Sequence, residues 1–316
     1  MAHDRNHDHD HGSGHGHSHD HSAVNRTRLT WAFVITATIL VAEVVGALLT
    51  NSLALLVDAA HMLTDSFGLL LALTAANLVL RKPTLKRTWG FRRAEVLSAT
   101  LQSALLLAVG IYAAVDAVRR LFIPAQVHAD GLLIFGIIGL AGNLIAMWII
   151  SGGREANLNM RAAFLEVLND ALGSVAVIIA ALVIHFTGWT SADSVAAIVI
   201  AALIVPRAVK LLGETTHILL ESTPRGLDLE AVRAHLEQQS GVIAVHDLHA
   251  SQIASNLPVL TAHIVAEDRM FTAGATGQLL RDLQQCVADH FEVSIEHSTF
   301  QIEPKSHRDS SYHSQC

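Results

Sequence analysis

The amino-acid sequence predicts a membrane all-α six-helix bundle followed by a small cytoplasmic α+β domain of ferredoxin-like type. Three observations point there. The chain is 51% hydrophobic and only 16% charged, with a mean hydropathy of +0.41, more apolar than ordinary soluble domains. The apolar residues concentrate before about residue 212, and charge returns after it. Beyond that point the hydrophobic period switches between helical and strand spacing.

A membrane span needs roughly 20 mostly apolar residues. Six stretches qualify: 29–50, 53–80, 94–121, 130–151, 161–186 and 189–212. The breaks are polar or rich in turn-forming residues: Thr50-Asn51-Ser52, the basic run Arg81 to Arg93, Pro124 to Asp130, Ser151 to Asn159, and Thr187-Gly188. Positive residues in short loops mark the cytoplasmic side. Arg26 and Arg28 precede the first span, and Arg81, Lys82, Lys86, Arg87, Arg92 and Arg93 separate the second from the third. Arg154 and Arg161 lie between the fourth and fifth, and Arg207 and Lys210 close the sixth. All fall on one side, so both termini are expected in the cytoplasm, with Arg119 and Arg120 the exceptions.

The expected layout is a disordered His-rich cytoplasmic tail over 1–25, a transmembrane domain over 26–212, a cytoplasmic domain over 213–305 and a flexible tail over 306–316. The first tail alternates His3, His7, His9, His11, His15, His17, His19 and His21 with Asp, Gly and Ser. It has no core to bury and suits loose, exchangeable metal gathering. Its polar start lacks the pattern of a cleaved signal peptide, so the first span is expected to act as the insertion signal. Cys286 and Cys316 offer neither a disulfide framework nor a CxxC knuckle. The net charge is −7 and no basic stripe appears, which argues against nucleic acid as a partner. In the soluble part, LDLEAVRAHLEQQ reads as helix, VIAVHDLHASQI and PVLTAHIVAE as strands, Thr272 to Phe291 as helix and VSIEHSTFQIE as strand.

The chemistry lies inside the spans. His61 and Asp65 are four residues apart, as are Glu166 and Asp170. Four residues is about one helical turn, so each pair projects from one face. An ionised side chain at the bilayer centre costs about 2.5–3.5 kcal/mol on insertion scales. No basic residue occupies the middle of any span to offset it. A divalent cation held between the two helices is the simplest compensation, with one imidazole and carboxylates of the kind zinc accepts. Asp58, three residues before His61, reads equally as a supporting or a structural group. Glu43, Asn143 and Asp193 either line the pathway or hydrogen-bond between helices.

Four separated segments carry a resemblance: SLALLVDAAHMLTD, WGFRRAEVLSA, RAAFLEVLNDALGS, and VHDLHASQI with TAHIVAED and EHSTFQIE. In this order they resemble the cation diffusion facilitator family over nearly the whole chain. The resemblance implies a homodimeric exporter that exchanges cytoplasmic Zn²⁺ or a related ion for protons. It places the transported ion on His61, Asp65 and Asp170, with Glu166 where the family commonly has histidine. A carboxylate there hardens the site and favours ions tolerant of oxygen, so Co²⁺, Cd²⁺ and Mn²⁺ stand beside Zn²⁺. It also implies a cytoplasmic metal site on His246, His263 and His297. Thr299 stands where some members have an aspartate, which argues against a full binuclear centre.

Two other classes fit less well. An intramembrane metalloprotease usually needs a HExxH helix, whereas Met follows His61, so no enzyme activity is expected. A membrane metal sensor or store would need only the tail and the soluble domain.

Overall fold

The computed structural model describes residues 18–151, 158–272 and 274–308. Six long helices come first: α1 (Ser18–Thr50), α2 (Leu53–Val79), α3 (Arg93–Phe122), α4 (Ala129–Ser151), α5 (Leu158–Thr187) and α6 (Ser191–Leu219). By length and composition α2 to α6 can each cross a membrane, and α1 adds a shorter apolar stretch, Val34–Thr50. Their outer faces carry exposed Leu69, Leu73, Tyr112, Val115, Trp148 and Ile179. Such a surface is a liability in water and the natural one in lipid. The predicted membrane bundle is therefore present.

Two ends differ from expectation. α1 begins at Ser18, inside the segment expected as tail, because extending an existing helix avoids a new nucleation cost. The remaining tail, with six of its histidines up to His17, lies outside the described residues, as do Arg154 and Cys316. α6 continues past 212 to Leu219, with Pro206 inside it. At about 1.5 Å per residue it outreaches the hydrocarbon layer.

The chain divides into two compact units, one holding the described residues up to Leu63 with Ala108–Val205, the other Thr64–Leu107 with the residues from Pro206 onward. In the first, α4 packs against α1 and α5. Its buried stripe is Leu132, Gly136, Gly139, Asn143, Ala146 and Ile150, spaced as one helical face. Gly139 allows a close approach: a Cβ there would stand 3.0 Å from both Glu43 Oε1 and Ser174 Oγ.

The start of α2 is tied down by Asp193 of α6. Asn51 adopts a left-handed φ of 57°, and the helix then opens with its first amides directed at a carboxylate. Asp193 accepts from Ser52 Oγ at 2.5 Å, Leu53 N at 2.7 Å and Ala54 N at 3.4 Å. This satisfies amides that every helix leaves without an internal partner. Nearby, Arg120 pairs with Asp116 at 3.0 Å and donates to the Asn51 carbonyl at 3.1 Å. One exception to the loop-charge pattern is thus engaged locally.

In the second unit the soluble domain runs α7 (Leu229–Glu237), β1 (Val242–Ala254), β2 (Leu257–Ala266), α8 (Asp268–Thr272), α9 (Thr276–Asp289), β3 (His297–Pro304) and α10 (Lys305–Arg308). The sheet order is β1-β2-β3, with β1/β2 antiparallel and β2/β3 parallel. This is the expected helix–strand–strand–helix–strand order, an α+β domain on a three-stranded mixed sheet. Asp228 caps α7 by accepting from Glu230 N and Ala231 N, as an N-cap carboxylate should. Val232, Leu236, Leu260, Ile264, Leu279, Leu283 and Ile295 form its core. Strand β3 starts later than the sequence suggests, because Ile295 is buried in that core and its amide donates to the Val287 carbonyl at 3.1 Å. Cys286 lies in the same core, and burial pushes its thiol pKa up.

Replacing Asp193 with Ala leaves buried amides at the start of α2 without their acceptor. A loss of about 1–3 kcal/mol follows, read as a lower melting temperature in detergent, with Asn retaining part of the stability.

Candidate metal sites

The first site lies in the helical bundle. His61 on α2 and Asp170 on α5 meet with Nε2 and Oδ1 3.7 Å apart, and their side chains are 7% and 6% exposed. A nitrogen and a carboxylate oxygen at that separation can share one small cation. Asp65 follows His61 by one turn of α2, is half-buried, and accepts from Gln102 Nε2 at 3.4 Å. Glu166 precedes Asp170 by one turn of α5 and is also half-buried. Each predicted pair therefore stands on one face of a continuous helix, and one member of each pair is in contact.

Asp58 points elsewhere. Its carboxyl lies against that of Glu43 of α1, and both groups are 2% exposed. Asn143 Nδ2 lies 3.4 Å from Ser174 Oγ beside them. Among the described residues, Glu43 Oε2, Asp58 Oδ2 and Asn143 Oδ1 have no hydrogen-bond partner. This buried polar cluster draws on α1, α2, α4 and α5.

The second site lies on the soluble sheet. His246 of β1 pairs directly with His263 of β2, and their rings are 5.1 Å apart. Glu303 of β3 closes the group: its Oε1 is 2.6 Å from His246 Nε2 and its Oε2 is 3.8 Å from His263 Nδ1. One ligand atom from each of the three falls within 4.8 Å of the others. Two imidazoles and one carboxylate suit zinc or a neighbouring divalent ion. Burial raises the Glu303 pKa, but hydrogen bonds from His246 and Gln301, with both imidazoles nearby, bring it below the usual carboxylate value.

A β-bulge shapes this site. The ladder slips between His246 and His249, and Asp247 takes a left-handed φ of 49°, which Asp tolerates better than most residues. The bulge re-aims the side chain toward the histidines. Asp247 Oδ2 reaches to 3.6 Å from His263 Nε2, and Oδ1 to 2.9 Å from His249 Nε2.

His297 is not gathered with His246 and His263. It pairs with Val259, four positions along the sheet from the His263–Gln301 pair, or about 13 Å at strand spacing. Its ring lies edge-on to Trp89, with centroids 4.7 Å apart. The third ligand position falls instead to Glu303, two residues beyond the partner of His263. Side-chain alternation along EHSTFQIEP puts Gln301 and Glu303 on one face, so Glu303 was within reach of a strand argument. The bulge at Asp247 and the Glu43–Asp58 contact had no such signal.

A close imidazole–carboxylate pair among spanning helices, with a His–His–Glu cluster on an attached α+β domain, is the build of a membrane protein that handles metal ions. Residues 29–220 match the cation efflux transmembrane domain and 224–305 the cation efflux cytoplasmic domain. The chain belongs to the cation efflux family, the cation diffusion facilitators. It is 39% identical over 289 residues to the metal cation efflux system protein CzcD of Cupriavidus metallidurans, covering 92% of this chain and 90% of that one. It is 37% identical over 285 residues to a cadmium, cobalt and zinc/H⁺-K⁺ antiporter of Bacillus subtilis, covering 90% of each. With zinc transporter ZitB of Escherichia coli it shares 38% identity over 281 residues, 88% of each.

In a chain whose intramembrane site is disabled by Asp170→Ala, Glu303→Gln should weaken zinc binding at least tenfold, as loss of a charged ligand or its support does. His297→Ala should leave it within twofold. Competition against a chromophoric zinc chelator reads both.

Proposed function

We propose that this chain exports divalent cations, Zn²⁺ foremost, from the cytoplasm in exchange for protons, as a homodimer with both termini cytoplasmic. The observation that carries this reading is the 3.7 Å approach of His61 to Asp170 inside the spanning helices. The relatives support it: one is named for metal cation efflux, one as a cadmium, cobalt and zinc/H⁺-K⁺ antiporter and one as a zinc transporter.

The transported ion binds between α2 and α5 on His61, Asp65, Glu166 and Asp170. Binding requires an imidazole nitrogen with a free lone pair and ionised carboxylates, so ion entry releases protons. Alternating access then turns the loaded site outward. Protons taken up there by His61 and Glu166 weaken the ligands and release the ion. The emptied site returns with less uncompensated charge than four bare ligands would carry through the bilayer. Linkage follows: affinity falls as the pH on the release side falls.

Glu166 sets this chain apart from members with histidine at that position. Its oxygen makes the set harder and more negative, which broadens acceptance toward Mn²⁺ and Co²⁺. The soluble domain holds a further ion on His246, His263 and Glu303, which ties three strands together and supports pairing of two copies. A metal sensor remains the competing reading, and turnover separates the two: a sensor saturates, whereas an exporter accumulates ion against a gradient.

In inside-out vesicles energised with a proton gradient, Asp65→Ala or Asp170→Ala should abolish zinc uptake. Uptake at the wild-type rate in either variant would remove the site assignment. Glu166→His should raise the zinc rate relative to manganese, measured by competition between the two ions.

A further inference from the structure

We propose that the cavity beneath the loop joining α2 to α3 binds the phosphate-bearing headgroup of an anionic phospholipid. The cavity measures about 740 Å³; Lys86, Arg87, Trp89 and Arg93 line one side, and Ile253 and Val259 of the sheet the other. The loop connects the ends of two spanning helices, so it lies at the boundary between hydrocarbon and water. Basic pockets at that depth are where anionic headgroups gather.

Charge is the first argument. Arg93 is engaged by Glu221, with Nη2 and Oε1 2.6 Å apart, which neutralises the one carboxylate on the wall. Lys86 and Arg87 then leave the cavity net positive, and Arg81, Lys82 and Arg92 sit in the same loop. The Arg87 guanidinium lies over the Phe91 ring, 4.4 Å from its centroid. Stacking occupies the face of the guanidinium and leaves its edge donors, the geometry that meets a phosphate in bidentate fashion.

Shape and polarity are the second. Thr84 and Arg87 exchange backbone hydrogen bonds at 3.1 and 2.9 Å, which pushes Leu85 and Lys86 to the tip of a tight turn. Leu85 is fully exposed and Leu80 is 82% exposed, apolar groups beside cations. Trp89 is partly exposed and held by its edge contact with His297, and Trp at an interface presents an apolar body with a polar N–H. Acyl chains are matched by Leu80 and Leu85, and the phosphodiester by Lys86 and Arg87. The loop 80–92 contains no His or Cys and no carboxylate, so it has no ligand for a metal ion. The assignment stands independently of which ion the protein carries.

The full chain is placed in nanodiscs of phosphatidylcholine containing phosphatidylglycerol brominated near the headgroup end of its acyl chains. Bromine quenching of Trp89 is read as the difference between wild type and Trp89→Phe. Brominated phosphatidylglycerol should quench Trp89 well beyond brominated phosphatidylcholine at the same mole fraction. Lys86→Gln with Arg87→Gln should lower that preference about 25-fold, at roughly fivefold per basic residue near the surface. Wild type alone also decides the matter, because the preference must fall as added salt screens the charges. Equal quenching by the two lipids, a preference unchanged in the double variant, or a preference insensitive to salt would overturn the proposal. Displacement by millimolar inorganic phosphate would overturn it too, because the cavity would then read the free anion rather than a lipid.

Discussion

Ionisable groups in hydrocarbon are tolerated only where something compensates their charge, and this constraint organises the membrane half of the molecule. The described helices meet it in three ways. Asp193 is spent on the opening amides of α2. Glu43 and Asp58 are buried against each other beside Asn143 and Ser174. His61 and Asp170 face each other across two helices, a pair that a divalent cation would complement. The first arrangement fixes a helix end and the second buries two carboxyls side by side. The third suits an ion that comes and goes.

The soluble domain uses different means for related chemistry. A sheet sets its ligands by register rather than by helical turn, so one slip of the ladder moves every side chain to the other face. The bulge at Asp247 exploits this, turning one strand so that His246 and Asp247 both reach the group around His263. Glu303 binds the third strand to the same point. A metal held there would pin all three strands, which suits a domain that supports assembly rather than passage.

Most of the bundle was legible because length and hydropathy are enough to place spanning helices. The four-residue spacing of His61 with Asp65, and of Glu166 with Asp170, was legible for the same reason: a helix converts spacing into a face. The soluble site was legible only in part. His246 and His263 could be set on adjacent strands from their flanking pattern, but the parallel register of β3 depends on where Ile295 leaves the core, and that is a packing outcome. The strand pattern alone therefore sets His297 closer to the pair than the register does, and gives Glu303 no mark of its own. Asp193 as a helix cap and Gln102 beside Asp65 are contacts between helices distant in sequence, for which one sequence carries no local sign.

The central claim is that imidazole and carboxylate groups of α2 and α5 hold one divalent ion together. X-ray absorption on the zinc-loaded full chain lacking residues 1–22, with His246 and His263 replaced by Ala, tests it most directly. The account predicts one tightly held zinc per chain with about four nitrogen or oxygen neighbours near 2.0–2.2 Å, one of them an imidazole, and loss of that zinc on Asp170→Ala. A zinc ion surrounded by water alone, or one retained unchanged in Asp170→Ala, would contradict it.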